Sequence, residues 1–234
     1  MTYTPTIYDW PGTVVPVNQV FRAGGLSIMG GMTLGGASVE NPEPGGRGEL
    51  VLEIAPIANA DANLAASWLS SRMLNGAVLR IPLFQPTVQI VADSVLGGST
   101  SAGVLWSNGF GWAGNVPWRF DPAASVTAVA AKGASSFVVN LTSLGQVLAI
   151  GHVIGFHTAG YDFAHIVTDI AYDATNQATV SINPPLRRAL AVSDPMKFRP
   201  IMLATCTNAR DAMTNFRFGT SMTFNPLRLV EALV

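Results

Sequence analysis

Three histidines, His152, His157 and His165, stand five and eight residues apart, with Asp162 and Asp169 in the same stretch. Imidazole and carboxylate are ligands of divalent transition metals, so a metal centre would be sought here first. The surrounding residues read as strands, and residues five apart on a strand point to opposite faces. His152 and His157 would therefore need a turn to reunite them, and the plainer reading is of strand and turn residues. Cys206 is the single cysteine. With a distant histidine and Asp211 it could be written as nucleophile, base and orienting acid, yet no local signature of a cysteine nucleophile surrounds it. A Gly-x-Ser-x-Gly elbow is absent, and Asp162 with Asp169 is too little to specify a glycosidase cleft. Neither Gly24-Gly25 nor Gly30-Gly31 leads into the Lys-Ser or Lys-Thr of a phosphate loop. The sequence predicts no catalytic residue, no cofactor and no metal site, and so a protein that is not an enzyme.

Aromatic residues offer a different chemistry. The Gly-, Ser- and Asn-rich stretch 97–118 carries Trp106, Trp112 and Trp118, which a merely hydrophilic linker would not need. Either they pin a long loop to the body, or they present an aromatic surface to a partner or a sugar.

Bulk composition narrows the classes. Thirteen basic and fourteen acidic residues give a net charge of −1, leaving no global field to attract nucleic acid. Charged residues are only 12% against 49% hydrophobic, yet no run approaches the roughly 20 apolar residues of a membrane span. An apolar chain without a span is expected to hide surface against copies of itself or other proteins. One cysteine excludes an internal disulfide, and residues 1–10 lack the basic and apolar regions of a signal peptide. Folding and assembly in a reducing cytoplasm is the expectation.

The elements that must position these residues are mostly strands. Residues 151–200 hold apolar runs at 153–156, 164–170 and 178–182, followed by 196–199, with Asp173 to Asn176 supplying a turn. That is an antiparallel meander. Pro184-Pro185 ends it, after which 186–190 is expected to make a single helical turn. Earlier, residues 2–17 with Pro5, Pro11 and Pro16 read as an arm or edge piece, and 21–36 as either a bulged strand pair or a glycine loop. A strand at 49–54 precedes the one convincing helix, 60–74. Asn59 or Asp61 would cap it, Leu64, Ala65, Trp68, Leu69 and Met73 would form its apolar stripe, and Asn75-Gly76 would stop it. Strands follow at 78–83, where Pro82 argues for an edge, and at 87–92. Further strands are expected at 125–130, 137–141, 201–206 and 217–224.

The order Asn183 to Arg188, Lys197 to Pro200, Phe216 to Phe224 and Val230 to Ala232 resembles proteins of the tail tip of long-tailed phages, of the distal-tail class. The likeness covers the last part of the chain, with only the strand, helix, strand order of 49–83 suggestive before it. The resemblance implies a mainly β protein, a tube-type β-sandwich or barrel with one flanking helix, plus a second antiparallel β-domain. It implies a structural virion protein, a homo-oligomeric ring, sixfold by analogy, between the tail tube protein and the hub or baseplate proteins, located in the virion tail after assembly in the host cytoplasm. On this reading residues 1–118 and 201–234, with helix 60–74, form the first domain, and 119–200 is inserted into it, with 217–224 completing the first sheet. The alternative is a carbohydrate-binding or receptor-contacting β module of a virion surface. Neither reading has a role for nucleic acid or membrane insertion.

Overall fold

The computed structural model describes residues 6–24, 27–32, 38–42, 46–57, 59–83, 123–212, 215–217 and 221–233. In chain order these form β1 (Ile7–Asp9), β2 (Pro16–Arg22), β3 (Ser27–Met32), β4 (Ser38–Pro42), β5 (Glu49–Ile54), α1 (Ala60–Leu74) and β6 (Val78–Pro82). There follow β7 (Ala123–Val126), β8 (Ser136–Asn140), β9 (Val153–Thr158), β10 (Tyr161–Tyr172), β11 (Gln177–Asn183) and β12 (Pro195–Lys197). The last are β13 (Ile201–Cys206), β14 (Asn215–Arg217), β15 (Ser221–Thr223) and β16 (Leu227–Glu231). The described residues are mainly β with one helix. It divides into two compact units, Met1–Leu83 with Ile201–Val234, and Phe84–Pro200. The expected strand at 87–92 and the tryptophan-rich stretch lie outside the described residues.

The first unit is a six-stranded sheet in the order β1-β6-β13-β16-β5-β2, with β1 parallel to β6 and every other pair antiparallel. Alternation along β5 sends Leu50, Leu52 and Ile54 to the buried face and Glu49, Val51 and Glu53 to the other. Register carries that buried face across to Leu227, Leu229 and Glu231 on β16 and to Ala204 on β13. Glu231 is a buried acid, and its carboxylate accepts the Gly48 N–H at 2.9 Å, which compensates part of the cost of its burial.

The helix lies on that buried face. Asn59 caps it by accepting the Asp61 N–H at 2.8 Å, and Gly76, at φ +68°, provides the left-handed stop. The face it buries differs from the stripe expected of it. Ala62, Ala66, Leu69, Ser70 and Met73 are buried, whereas Leu64 is 72% and Trp68 37% exposed. Both sets have a helical period, and the sheet takes the one with the smaller side chains, which lets the helix approach closely. Tyr8 of β1 meets Trp68 edge-on at 5.8 Å, and the Arg72 guanidinium lies 4.5 Å over the Tyr8 ring.

Two further expectations are corrected. β6 lies inside the sheet rather than at its edge; Pro82 is tolerated because it is the last strand residue. Among the described residues of 217–224 none joins the sheet: β14 and β15 pair with each other in a short hairpin. The strands that do complete it are β13 and β16. Of 21–36, read as a bulged strand pair or a glycine loop, only β3 lies wholly within the stretch as a described strand, and it pairs with β4 beyond it, with a register shift between Met29 and Met32.

The second unit contains a closed antiparallel barrel in the order β10-β11-β8-β7-β12-β9. Its interior is filled by large side chains, including Phe137, Phe156, Val167, Val180, Met196 and Phe198, with Phe137 and Phe156 edge-to-face at 5.1 Å. The expected meander forms over β9, β10 and β11, but its fourth strand does not follow on: β12 pairs with β9 and β7, and β8 takes the place beside β11. Asp173 organises the β10–β11 turn by accepting the N–H groups of Thr175 and Gln177, each at 2.8 Å. The expected helical turn at 186–190 is absent. Leu190 instead forms a β-bridge with Ala130, which draws that segment along the barrel wall. Gly155 is placed where a Cβ would sit 2.8 Å from the Pro200 Cα, so only glycine allows this approach.

Candidate functional site

The three histidines are held by the β9–β10 region and serve three separate environments. His152 precedes β9, and its Nδ1 accepts the Ala149 N–H at 3.1 Å. His157 lies on the outside of the barrel wall with Nδ1 2.8 Å from Oδ1 of Asp162, its register partner across the hairpin. His165 points inward; it is 1% exposed, with Nδ1 2.7 Å from the Pro184 carbonyl and its ring 6.0 Å from Phe156. Antiparallel alternation separates His157 from His165, because their positions on the two paired strands face opposite sides of the wall. Among the described residues no group of three His, Cys, Asp or Glu side chains is placed to hold a metal ion.

The carboxylates are also kept apart. Asp162 is buried beside His157, while Asp169 lies beyond a bulge and accepts the N–H of Ile170 at 2.9 Å. Seven residues of strand put them roughly 20 Å apart, about twice the widest separation a glycosidase pair uses. Cys206, on β13, donates to Asn208 Oδ1 at 3.5 Å, and burial pushes its thiol above the usual range. A thiol held protonated is a poor nucleophile. Asp211 has its N–H bonded to the Asn208 carbonyl in the following turn. Neither Cys206 nor Asp211 is contacted by a histidine in the hydrogen bonds of the described residues.

Two surface features that sequence reasoning missed are more informative. The first is the outer face of α1, where Leu64, Trp68 and Leu74 are exposed beside the Tyr8–Arg72 stack. The expected stripe had placed Leu64 and Trp68 inside. The second is β2, at one end of the sheet order, with Val17 68% exposed, Val20 also exposed, and Val15 exposed just before it. Pro16 opens the strand and Arg22 closes it, and the exposed valines between them give the edge an apolar surface suited to packing.

His152 gives a pH signature. Burial pushes its imidazole below the usual 6.5, and protonation at Nδ1 would remove the acceptor for Ala149. Because the folded value is the lower one, the contribution of His152 to stability is complete above 6.5. It is lost as pH falls from there through the folded value. A series of urea titrations of wild type and His152→Gln between about pH 7.5 and 5 should show wild-type stability falling more steeply than the variant's. Parallel curves would refute the assignment.

Neither a scan against protein-family models nor a search of curated proteins returned a match to this chain.

Proposed function

We propose that this chain is a non-catalytic structural subunit of a phage tail tip, of the distal-tail class. It assembles with copies of itself into a ring, sixfold by analogy, that joins the tail tube to the hub and baseplate in the virion. The observation that carries the reading is the outward apolar face of α1 together with the valine-lined edge strand β2. A chain with 12% charged residues that leaves Leu64, Trp68, Val15 and Val17 in water has surface suited to burial against neighbours. The ordered motifs of residues 183–232 support the class, and the separate environments of His152, His157, His165 and Cys206 support a non-catalytic role.

The test is low-dose imaging and sedimentation of the purified full chain. Rings of defined size are the expected result; a stable monomer at micromolar concentration would sink the proposal. Turnover of peptidoglycan or polysaccharide, lost on substituting one of the three histidines, would overturn the non-catalytic part.

A further inference from the structure

Helix α1 ends on Asn75-Gly76. In this dipeptide the asparagine side chain is open to attack by the nitrogen that follows it, because glycine has no Cβ to crowd that nitrogen and turns freely. Both residues are exposed, and a Cβ built on Gly76 would meet nothing within 4 Å, so water and hydroxide reach the pair from open space. The cap nevertheless holds the two reacting atoms apart. Asn75 stands at φ −86° and ψ 10°, which makes the Gly76 nitrogen eclipse the Asn75 nitrogen instead of the Asn75 side chain. The Gly76 N–H donates to the Met73 carbonyl and the Ala77 N–H to the Arg72 carbonyl, each at 3.1 Å. Bringing the Gly76 nitrogen to Cγ of Asn75 requires rotation about the Asn75 Cα–C bond, and that rotation breaks both hydrogen bonds.

We infer that Asn75 is a modification site, an asparagine that converts to aspartate and isoaspartate through openings of the α1 cap. In the open turn the Gly76 nitrogen gives its proton to hydroxide and bonds to Cγ of Asn75. The Cγ–Nδ2 bond breaks, and ammonia leaves with a proton taken from water, closing a five-membered succinimide. Water then splits one of the two ring C–N bonds. Cleavage at Cγ gives aspartate; cleavage at the backbone carbonyl gives isoaspartate, in which the main chain runs through the former side chain. The balance is one water consumed and one ammonia released, with no oxidant or reductant. Either product places a carboxylate at the negative end of the helix dipole, and isoaspartate also lengthens the turn that Gly76 closes on Met73. Met73, 3% exposed, is the last buried side chain of the helix, so the conversion loosens the end of α1 from the sheet irreversibly. The inference is independent of the ring proposed above, since no step requires a neighbouring subunit.

The experiment ages the full chain in mildly alkaline buffer, folded and in denaturing urea, with peptide mapping that separates the aspartate and isoaspartate forms. Mapping also distinguishes Asn75 from the chain's other Asn-Gly pair, 108–109. Asn75 should convert in both samples, at least about tenfold more slowly in the folded chain. Hydrogen exchange of the Gly76 amide measures the cap opening independently. The folded-to-unfolded ratio of conversion rates should match the open fraction that exchange reports, to within about threefold. An Asn75 that stays intact in the folded chain while the Gly76 amide exchanges, one that converts as fast folded as in urea, or a ratio well away from the open fraction would each overturn the inference.

Discussion

Phe198→Ala will destabilise the barrel by about 3–5 kcal/mol. Phe198 is fully buried and among the largest side chains of the barrel interior, packed in one cluster with Met196, Phe156 and Phe137. Removing its ring leaves a cavity that a closed barrel fills poorly, since each strand is bonded on both sides and cannot move inward alone. Hydrogen exchange reads the effect unit by unit. Amides of β8 and β11 should lose protection by at least roughly a hundredfold, while those of β5 and β16 keep theirs. Loss of less than about tenfold in the barrel would mean that Phe198 does not fill its centre.

Replacing both Leu64 and Trp68 by glutamate will abolish ring assembly while leaving the fold in place. Leu64 is 72% exposed and loses little, whereas Trp68 is 37% exposed and gives up its contacts with Tyr8 and Arg72. The cost to folding should stay within about 3 kcal/mol. At an interface the same change places two carboxylates per subunit in an apolar contact, a cost repeated at every junction of the ring. Circular dichroism matching wild type, with only monomers in sedimentation, is the expected result. Rings that persist in the double variant would move the contact surface away from α1.

Much of the local structure was legible because it is written in adjacent residues. β9, β10 and β11 follow from period-two alternation and the Asp173 to Asn176 turn, and α1 from its Asn59 cap and Gly76 stop. The absence of a phosphate loop or a nucleophile elbow was likewise a matter of reading the chain. The separation of Asp162 from Asp169 needed only the recognition that both lie on one long strand.

What the chain in isolation left open were choices between equivalent local patterns. Residues 64, 65, 68, 69 and 73 make as good a helical stripe as 62, 66, 69, 70 and 73, and only the sheet beneath decides which is buried. Pro82 signals the end of a strand, but whether that strand is central or at an edge depends on β1 and β13, which arrive from distant parts of the chain. Residues 217–224 have the composition of a sheet strand, yet β16 takes the place beside β5, because its alternation buries Leu227, Leu229 and Glu231 in register with Leu50 and Leu52. The sequence by itself determined which segments extend, turn and coil; the long-range strand pairings determined which side chains are left facing water, because burial depends on neighbours that local periodicity does not encode.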